Sequence, residues 1–457
     1  MTTITAEKCR QPAQTPGAIH PVDEVPATSR LLLLALQHVM VMYTGAIAVP
    51  FIIGAALGLS QQQIAYLIQA DLITCGIATL IQTIGIWRFG SRMPLMQGLT
   101  FACISPAIAI ASDPSLAAGG VEDGLRAVYG AVIISGLFGI AMAPFGRYMV
   151  RAFPAVVVGS VLTVIGLSLL PVAIQYSAGG YGPDAGDPKY IAMAFTVLAI
   201  IIVANIFGKG FIRNISVLIG IVAGVCIAGF SGMLDLSAAS SAETFALVEP
   251  FYFGTPTFHL VPILTMILVI SITWVESVGD AIVIGEMVDK KPDARKISDL
   301  IRADGLSSVI GGMLNSFHYT AFSENVALVS ITQVKSRWVV ALAGVFLILL
   351  GMSPYLAAIV ASVPKAVIGG AGFMMFGSLV VVGIKTLSRI DFETSYNNFV
   401  VVGVSVAMAM IAILKPDYFS FMPDWSQVFF KSPVIMGAMT AIILNFLLNG
   451  LDKKLAL

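Results

Sequence analysis

Two carboxylates lie one helical turn apart in an otherwise apolar stretch, the segment from Trp274 to Asp280. Residues four apart share a helical face, so Glu276 and Asp280 would point the same way from a helix. A charged side chain at the bilayer centre costs about 2.5–3.5 kcal/mol on insertion scales and is rare unless it faces a polar cavity. Asp304 and Glu324 follow in two further apolar segments. Several acids in such segments indicate a transporter whose substrate or coupling ion needs them.

The composition predicts a polytopic membrane protein. Hydrophobic residues make up 58% of the 457 positions and charged residues only 11%, whereas soluble domains carry roughly a quarter charged residues. The net charge is zero, and no basic cluster with interleaved aromatic residues supports nucleic-acid binding. The four cysteines are widely spaced and match neither a metal-binding motif nor a disulfide framework, so no metal site is predicted.

A bilayer span needs about 20 apolar residues, and the chain offers fourteen such stretches. Lys and Arg fall mostly on alternate loops, which predicts that both termini are cytoplasmic in a multi-pass protein of the cytoplasmic (inner) membrane. Residues 1–29 are polar and Pro-rich without an apolar signal core, and we interpret them as a mobile cytoplasmic tail. The predicted spans are 31–57, 62–86, 95–112, 127–145, 153–175, 189–207, 212–233, 260–286, 297–314, 316–333, 338–353, 365–387, 394–414 and 432–449.

Two of these spans are unusual. The third is interrupted by Pro94, Gly98 and Pro106, and the tenth carries Glu324 and Asn325. They occupy matching positions if the chain is split into seven plus seven spans. An odd number of spans per half makes the halves inverted in topology, and paired broken segments point to a binding site at the membrane midplane.

Five motifs resemble the nucleobase–ascorbate transporter family, specifically its bacterial xanthine/urate permease branch. The similarity runs from about Leu31 to Leu451. The last motif lies over the family signature Gln/Glu/Pro-Asn-x-Gly-x4-Thr-Arg/Lys/Gly. The motifs are Gln37-His38, Gln97-Gly98-Leu99-Thr100-Phe101, Glu276-Ser277-Val278-Gly279-Asp280, Ala303-Asp304-Gly305 and the segment Ser323 to Gln333.

The resemblance implies an all-α fold of fourteen spans in two inverted seven-span repeats. Spans 1–4 and 8–11 would form a core domain that holds substrate, and spans 5–7 and 12–14 a gate domain that also forms the homodimer. Spans 3 and 10 would each contain a short strand, and these strands would meet at mid-membrane. The implied boundaries are tail 1–29, core 30–152 and 259–364, gate 153–258 and 365–452, and tail 453–457.

The function implied by the resemblance is proton-coupled import of a purine nucleobase, urate or xanthine, by an elevator-type alternating-access mechanism. No ATP-binding motif is present, so an ion gradient must supply the energy and no other cofactor is expected. Protons fit because the carboxylates and His38 can titrate. The alternatives are a symporter of uracil-type pyrimidines or other lactam heterocycles, and an anion transporter of the same fold. No protease or hydrolase motif lies in a span, so an enzyme is not predicted.

Glu276 is the strongest candidate for substrate binding, because a carboxylate accepts strong hydrogen bonds from the ring N–H groups of a lactam. Asp304 is interpreted as the proton carrier or as an acid that organises its domain, and Asp280 as a substrate contact or as a group holding the strands together. His38 is expected to orient an acid of the core domain. Asn325 could instead cap a half-helix, and Phe101 could stack on substrate or belong to the packing core. The predicted substrate-binding residues are Glu276, Glu324, Asn325, Thr100, Phe101 and Gln97.

Four positions bear on the choice of substrate. Ala327 replaces the Gly of the family signature, and Gln333 stands where a basic or small residue is usual. Glu324 is usual in uracil-type members, whereas purine permeases usually carry Gln there. Thr100 instead resembles the urate branch. The motifs therefore predict the family more firmly than the nucleobase.

Overall fold

The computed structural model describes residues 19–146, 153–240, 242–393 and 395–450. Within these ranges the apolar stretches form helices. The first half contains α1 (Thr28–Ala56), α2 (Gln61–Ile84), β1 (Gln97–Leu99), α3 (Ile104–Ala111), α4 (Val121–Met142), α5 (Ala155–Ser177), α6 (Pro188–Phe207) and α7 (Ser216–Phe230). The second half contains α8 (Leu260–Met287), α9 (Ala294–Met313), β2 (Tyr319–Ala321), α10 (Ser323–Thr332), α11 (Arg337–Gly351), α12 (Pro354–Ala361), α13 (Lys365–Leu387), α14 (Tyr396–Leu414) and α15 (Pro433–Asn449). Shorter helical turns lie at Phe101–Cys103, Ala143–Phe145, Phe211–Asn214, Ser237–Ser240, Pro416–Phe419 and Asp424–Phe430.

Eight of the described helices are long and apolar enough to cross a membrane, namely α1, α2, α4, α5, α6, α8, α13 and α14. α11 and α12 would make a ninth span if counted together, although they are bent by 82°. α3, α7 and α15 are apolar but shorter, and α10 has only 10 residues. α9 carries five charged residues, all of them between positions 295 and 304. The chain is therefore a polytopic helical membrane protein, and the count of fourteen spans stays a prediction.

β1 and β2 form a two-stranded antiparallel sheet in which Gly98 pairs with Thr320. Thr100 N donates to His318 O at 3.0 Å beyond one end of the sheet. Gly98 is needed here because a Cβ at this position would lie 2.6 Å from the ring of Phe322. Each strand runs directly into a short helix, so the third and tenth predicted spans consist of a strand and a half-helix rather than one continuous helix.

Two glycine pairs let helices from opposite halves of the chain cross closely. A Cβ on Gly76 of α2 would lie 2.4 Å from the Gly344 carbonyl oxygen on α11. A Cβ on Gly136 of α4 would lie 2.7 Å from the Gly305 carbonyl oxygen on α9. Small residues at such crossings allow the backbones of membrane helices to approach. The two halves therefore interlock through α2 with α11 and through α4 with α9.

Residues 19–27 are not the free tail predicted for residues 1–29. Val22 is fully buried among apolar side chains of α8, α9 and α10. Asp23 forms ion pairs with Arg337 at 2.7 Å and with Lys290 at 3.2 Å. Partial burial alone would raise the pKa of Asp23, but Lys290 and Arg337 together hold that pKa below its ordinary value. Charge pairing and one apolar anchor thus fix this segment across one end of the helices.

The eleventh predicted span, 338–353, corresponds to α11, and the chain bends at the end of that span, between Gly351 and Pro354. Ser353 caps the N-terminus of α12, and its hydroxyl accepts a hydrogen bond from Leu356 N at 3.4 Å. Pro354 is the first residue of α12. Because proline lacks a backbone N–H and clashes with a preceding helical turn, α11 cannot continue through it.

Some predictions fall outside the described residues. These are the tail residues 1–18, the loop residues 147–152 with Arg147 and Arg151, and the C-terminal residues 451–457.

Candidate functional site

Glu276 and Thr100 meet where α8 passes the end of β1. Thr100 follows the strand and caps the turn Phe101–Cys103, because its hydroxyl accepts from Ala102 N at 3.2 Å. The same hydroxyl lies 3.4 Å from Glu276 Oε2 and donates to it. The structure therefore brings together two of the residues predicted to bind substrate, from segments 176 positions apart.

Glu276 also faces α5 across a small cavity. Phe153, Val158, Val161 and Leu162 line one side of this cavity, and Glu276 with its neighbours on α8 lines the other. The space holds about one water molecule. The candidate site is therefore closed in this conformation, and opening it requires α8 and α5 to separate.

Three carboxylates lie near one another at this end of α8. Asp280 accepts a hydrogen bond from the Ser323 hydroxyl at 2.8 Å. Glu324 is exposed at the start of α10 and lies within electrostatic reach of Glu276 and Asp280. Asp280 thus contacts the first residue of the half-helix that follows β2, and its role as a substrate contact or as a group holding the strands together stays a prediction. Nowhere in the described ranges do three His, Cys, Asp or Glu side chains form a group that could hold a metal ion.

Ser277 is the residue that anchors β2 to α8. Its hydroxyl lies 2.9 Å from Thr320 Oγ1 and accepts a hydrogen bond from Ala321 N at 2.9 Å. The sequence motif includes Ser277, but its role as the anchor of β2 was not predicted. Its position directly after Glu276 in an apolar helix was the available signal, since a buried hydroxyl needs a partner.

Asp304 and Gln97 lie side by side in the interior. Both side chains are fully buried, and no described residue makes a hydrogen bond to either Asp304 carboxylate oxygen or to the Gln97 amide. Ser277 and Gln97 are the polar neighbours of Asp304. Gln97 was predicted to bind substrate together with Glu276, whereas the structure places it next to the predicted proton carrier.

His38 and Asn325 join α1 to α10. Asn325 Nδ2 lies 3.0 Å from His38 Nδ1 and donates to His38 O at 3.1 Å. Both side chains are buried. Phe322, and not Asn325, occupies the cap position of α10, so the capping interpretation is wrong. The expectation that His38 orients an acid is also wrong, since its partner is the Asn325 amide.

Phe101 packs against α13, a helix of the predicted gate domain. Its ring lies edge-on to Phe376 of α13, with ring centroids 6.3 Å apart. Phe101 is half-buried. Aromatic pairs favour such edge-to-face geometry. This contact, like the cavity beside Glu276, lies between the helices predicted for the two domains.

Asp71 on α2 is a second buried acid that the sequence analysis did not propose for the site. Tyr319 Oη donates to Asp71 Oδ1 at 2.8 Å, and the Cys75 thiol donates to the same oxygen at 3.2 Å. Tyr319 is the first residue of β2, just as Gln97 is the first residue of β1. Each strand therefore begins with a side chain placed beside an aspartate from the opposite half of the chain.

We expect Tyr319→Phe to destabilise the protein, because it removes a hydrogen bond from a fully buried carboxyl group. Loss of one such hydrogen bond costs about 0.5–1.5 kcal/mol, since the Cys75 thiol still donates to the same oxygen. Thermal unfolding in detergent should show a lower Tm for this variant. Tyr355→Phe is the control, since that side chain is 45% exposed. Equal Tm values for the two variants would mean that the Asp71–Tyr319 bond contributes little.

The fold and the site together define a membrane transporter. Residues 29–418 match the model described as the Permease family (Xan_ur_permease). The chain is 42% identical to the uric acid transporter UacT of Escherichia coli strain K12 over 94% of its own length and 88% of that protein. It is 41% identical to the xanthine permease of Bacillus subtilis strain 168 over 93% and 95% of the two lengths. The chain therefore belongs to the nucleobase–ascorbate transporter family.

Solved structures with a similar fold come from more distant proteins. The transmembrane domain of the cyanobacterial bicarbonate transporter BicA aligns with a TM-score of 0.60 at 14% identity, covering 92% of this chain and 98% of that one. Murine Slc26a9, an anion transporter in the inward-facing state, aligns with a TM-score of 0.60 at 13% identity, covering 97% and 74%. At such low identity the likeness concerns the fold alone.

Proposed function

We propose that the protein is a proton-coupled symporter that imports a purine nucleobase, urate or xanthine, across the cytoplasmic membrane. The observation that carries this proposal is the Glu276 carboxylate, held by Thr100 beside the strand end and facing α5. A carboxylate there accepts N–H bonds from a lactam ring. The names of the uric acid and xanthine transporters among the similar proteins support a purine.

The proposed architecture has fourteen spans in two inverted repeats. Both halves follow the same order of two helices, a strand, a half-helix, a further helix and three more helices, when α11 and α12 are counted as one bent span. The antiparallel β1–β2 pair and the reciprocal crossings of α2 with α11 and α9 with α4 are what a two-fold axis in the membrane plane would produce. We assign α1–α4 and α8–α12 to the core domain and α5–α7 and α13–α15 to the gate domain.

Transport in this proposal moves the core domain against the gate domain. Glu276 and Phe101 belong to the core domain, and the residues they face on α5 and α13 belong to the gate domain. A substrate bound at Glu276 would therefore be exposed first to one side of the membrane and then to the other as the core domain moves along the gate domain. This is the elevator form of alternating access.

Asp304 is proposed to carry the coupled proton. A buried carboxylate without hydrogen-bond partners is unfavourable, so the geometry around Asp304 favours the protonated acid. Ser277 is a neighbour of Asp304 and also accepts a hydrogen bond from Ala321 of β2. It directly follows Glu276 in α8, so it connects Asp304 with the substrate site. A change of charge at Asp304 can therefore reach the substrate site through one hydroxyl group.

The proposed orientation places both termini in the cytoplasm. The segment 19–27 lies at the end of the helices that also carries Lys290, Lys335 and Arg337, and positive charge marks the cytoplasmic side. We further propose a homodimer through the gate domain. Its helices expose large apolar side chains suited to lipid or a partner, among them Phe195, Ile202, Val203, Phe399 and Val404.

Uptake of radiolabelled urate, xanthine and uracil in a strain lacking its own nucleobase permeases would test the function. We expect urate or xanthine to be concentrated and to compete with each other, and a protonophore to abolish the accumulation. Uptake unaffected by the protonophore, or accumulation of none of the three compounds, would contradict the proposal.

Glu324 and Thr100 are expected to set the ranking of substrates. Glu324→Gln replaces a pure acceptor with a group that also donates, and Thr100→Asn places a larger amide next to Glu276. We expect the first change to alter the order of urate, xanthine and uracil, and the second to favour xanthine. Competition at equal expression measures both. An unchanged order in both variants would place the determinants of selectivity elsewhere.

A further inference from the structure

A second and larger cavity lies between the half-helix α3 and the gate helix α5. Its volume is about 270 Å³, near the lower end of the roughly 300–1,000 Å³ range of small-molecule sites. We call it the outer vestibule and define it by Ser105, Ser112 and Asp113 along α3, Ser168 on α5, and Lys431 before α15. Its size suits one bicyclic heterocycle rather than a larger solute.

The outer vestibule leads toward the Glu276 site. Ser105 lies one helical turn after Phe101, whose turn follows directly on Thr100. From Ser105 to Asp113 the chain rises about 12 Å, at 1.5 Å per residue. The cavity therefore follows α3 from a residue one turn beyond Phe101 to Asp113 after the end of the helix, between the two proposed domains.

The polar part of the lining combines serine hydroxyls with one carboxylate, Asp113, and one ammonium group, Lys431. The Ser105 and Ser432 hydroxyls lie 3.5 Å apart, so one of the two keeps an O–H free to donate to a carbonyl oxygen. Ser168 Oγ donates to Ile165 O and can therefore only accept, for example from a ring N–H. Asp113 Oδ1 is engaged by the backbone N–H and hydroxyl of one serine, Ser115, at 2.8 and 2.6 Å. Lys431 is exposed and is not among the ion pairs found between described residues.

We propose that the outer vestibule is a binding site at which Lys431 and the serine hydroxyls hold an incoming purine anion before it reaches Glu276. The inference rests on the proposed function, because it takes the substrate class from there. Highly oxidised purines such as urate lose a ring proton near neutral pH, and their carbonyl oxygens accept bonds from hydroxyl groups. A lysine at the mouth attracts this anion over about one Debye length, 8–10 Å at physiological salt.

Transport kinetics of Lys431→Gln test the role of the charge. We expect KM for urate to rise about three- to tenfold at low ionic strength with little change in Vmax, since a positive group at a cleft raises the local anion concentration. The increase should shrink as salt is added. Lys415→Gln is the matched control. Lys415 is also an exposed lysine between α14 and α15, but it does not line the cavity. Equal effects of the two changes, or no effect of either, would overturn the proposal.

Labelling of Ser168→Cys by a membrane-impermeant maleimide tests occupancy. The background carries Cys9→Ser and Cys226→Ser, because Cys9 lies outside the described residues and Cys226 is exposed, whereas Cys75 and Cys103 are buried. We expect urate added outside to slow labelling at position 168, but not at Ser231→Cys, which is exposed and does not line the cavity.

The same labelling in the Glu276→Gln variant separates this proposal from the proposed function. Protection that persists when high-affinity transport is lost supports a distinct site in the outer vestibule. Protection that disappears with Glu276 would mean that urate acts only at the central site, and the vestibule proposal would be wrong while the transport function stood. Labelling from the cytoplasmic face alone would also overturn it.

Discussion

Glu276→Gln should abolish high-affinity uptake while the protein still reaches the membrane. The variant keeps the shape of the side chain but loses the charge that accepts substrate N–H groups. Losing one partner of a buried charge-assisted pair costs about 2–5 kcal/mol, which corresponds to roughly thirty- to a few-thousand-fold in affinity. Because Thr100 donates to this carboxylate at 3.4 Å, an amide at position 276 can still accept that bond and the local fold should survive.

Glu286→Gln is the matched control for this experiment. It lies on the same helix, but its side chain is 59% exposed and pairs with Lys291 at 3.4 Å. We expect its urate affinity to equal that of the unmodified protein, since exposed pairs contribute little. Size-exclusion profiles of fluorescent fusions would verify folding of both variants. Unmodified affinity in Glu276→Gln would refute the assignment of this residue to substrate binding.

Asp304→Asn should separate binding from energy coupling. The amide has nearly the same volume but cannot release or take up a proton at physiological pH. One coupled proton and one pH unit across the membrane support at most about tenfold accumulation. We expect this accumulation to disappear, while urate still binds and exchanges across proteoliposome membranes.

Asp293→Asn provides the control on the same helix. Asp293 caps α9 and accepts from Lys296 N at 2.7 Å, and Asn caps helices about as well as Asp. We expect it to leave accumulation intact. If Asp304→Asn still concentrates urate, and a protonophore abolishes that accumulation, another acid carries the proton and Asp304 has a structural role.

The apolar patterning predicted most helix positions, because a bilayer imposes both the length and the composition of a span. It predicted less well where the chain departs from one straight helix per span. The bend at Pro354 follows from a proline that lay outside the predicted span. The packing of residues 19–27 was not predicted because it depends on the burial of Val22 and the ion pairs of Asp23. A single valine and a single aspartate do not stand out in a polar segment.

Within the site, the sequence predicted which residues matter better than what they contact. Glu276 and Thr100 were both predicted to belong to the site, and they meet because α8 passes the end of β1. Asn325 was interpreted as a cap, yet it bonds His38, which is 287 positions away. Such long-range partners depend on how the two halves interlock, and no local pattern encodes that. The Ser277 anchor was missed for the same reason.

The bond between Tyr319 and Asp71 has a consequence for synthesis of the protein in the cell. The two residues are 248 positions apart, so a ribosome adding 5–20 residues per second makes Tyr319 roughly ten to fifty seconds after Asp71. During that interval the Asp71 carboxyl group on α2 lacks its hydrogen bond from Tyr319, because Tyr319 has not yet been synthesised. The first half therefore cannot reach its final packing when it is inserted. The insertion machinery or neighbouring helices must keep α2 out of contact with lipid until the second half has been made and packs against it.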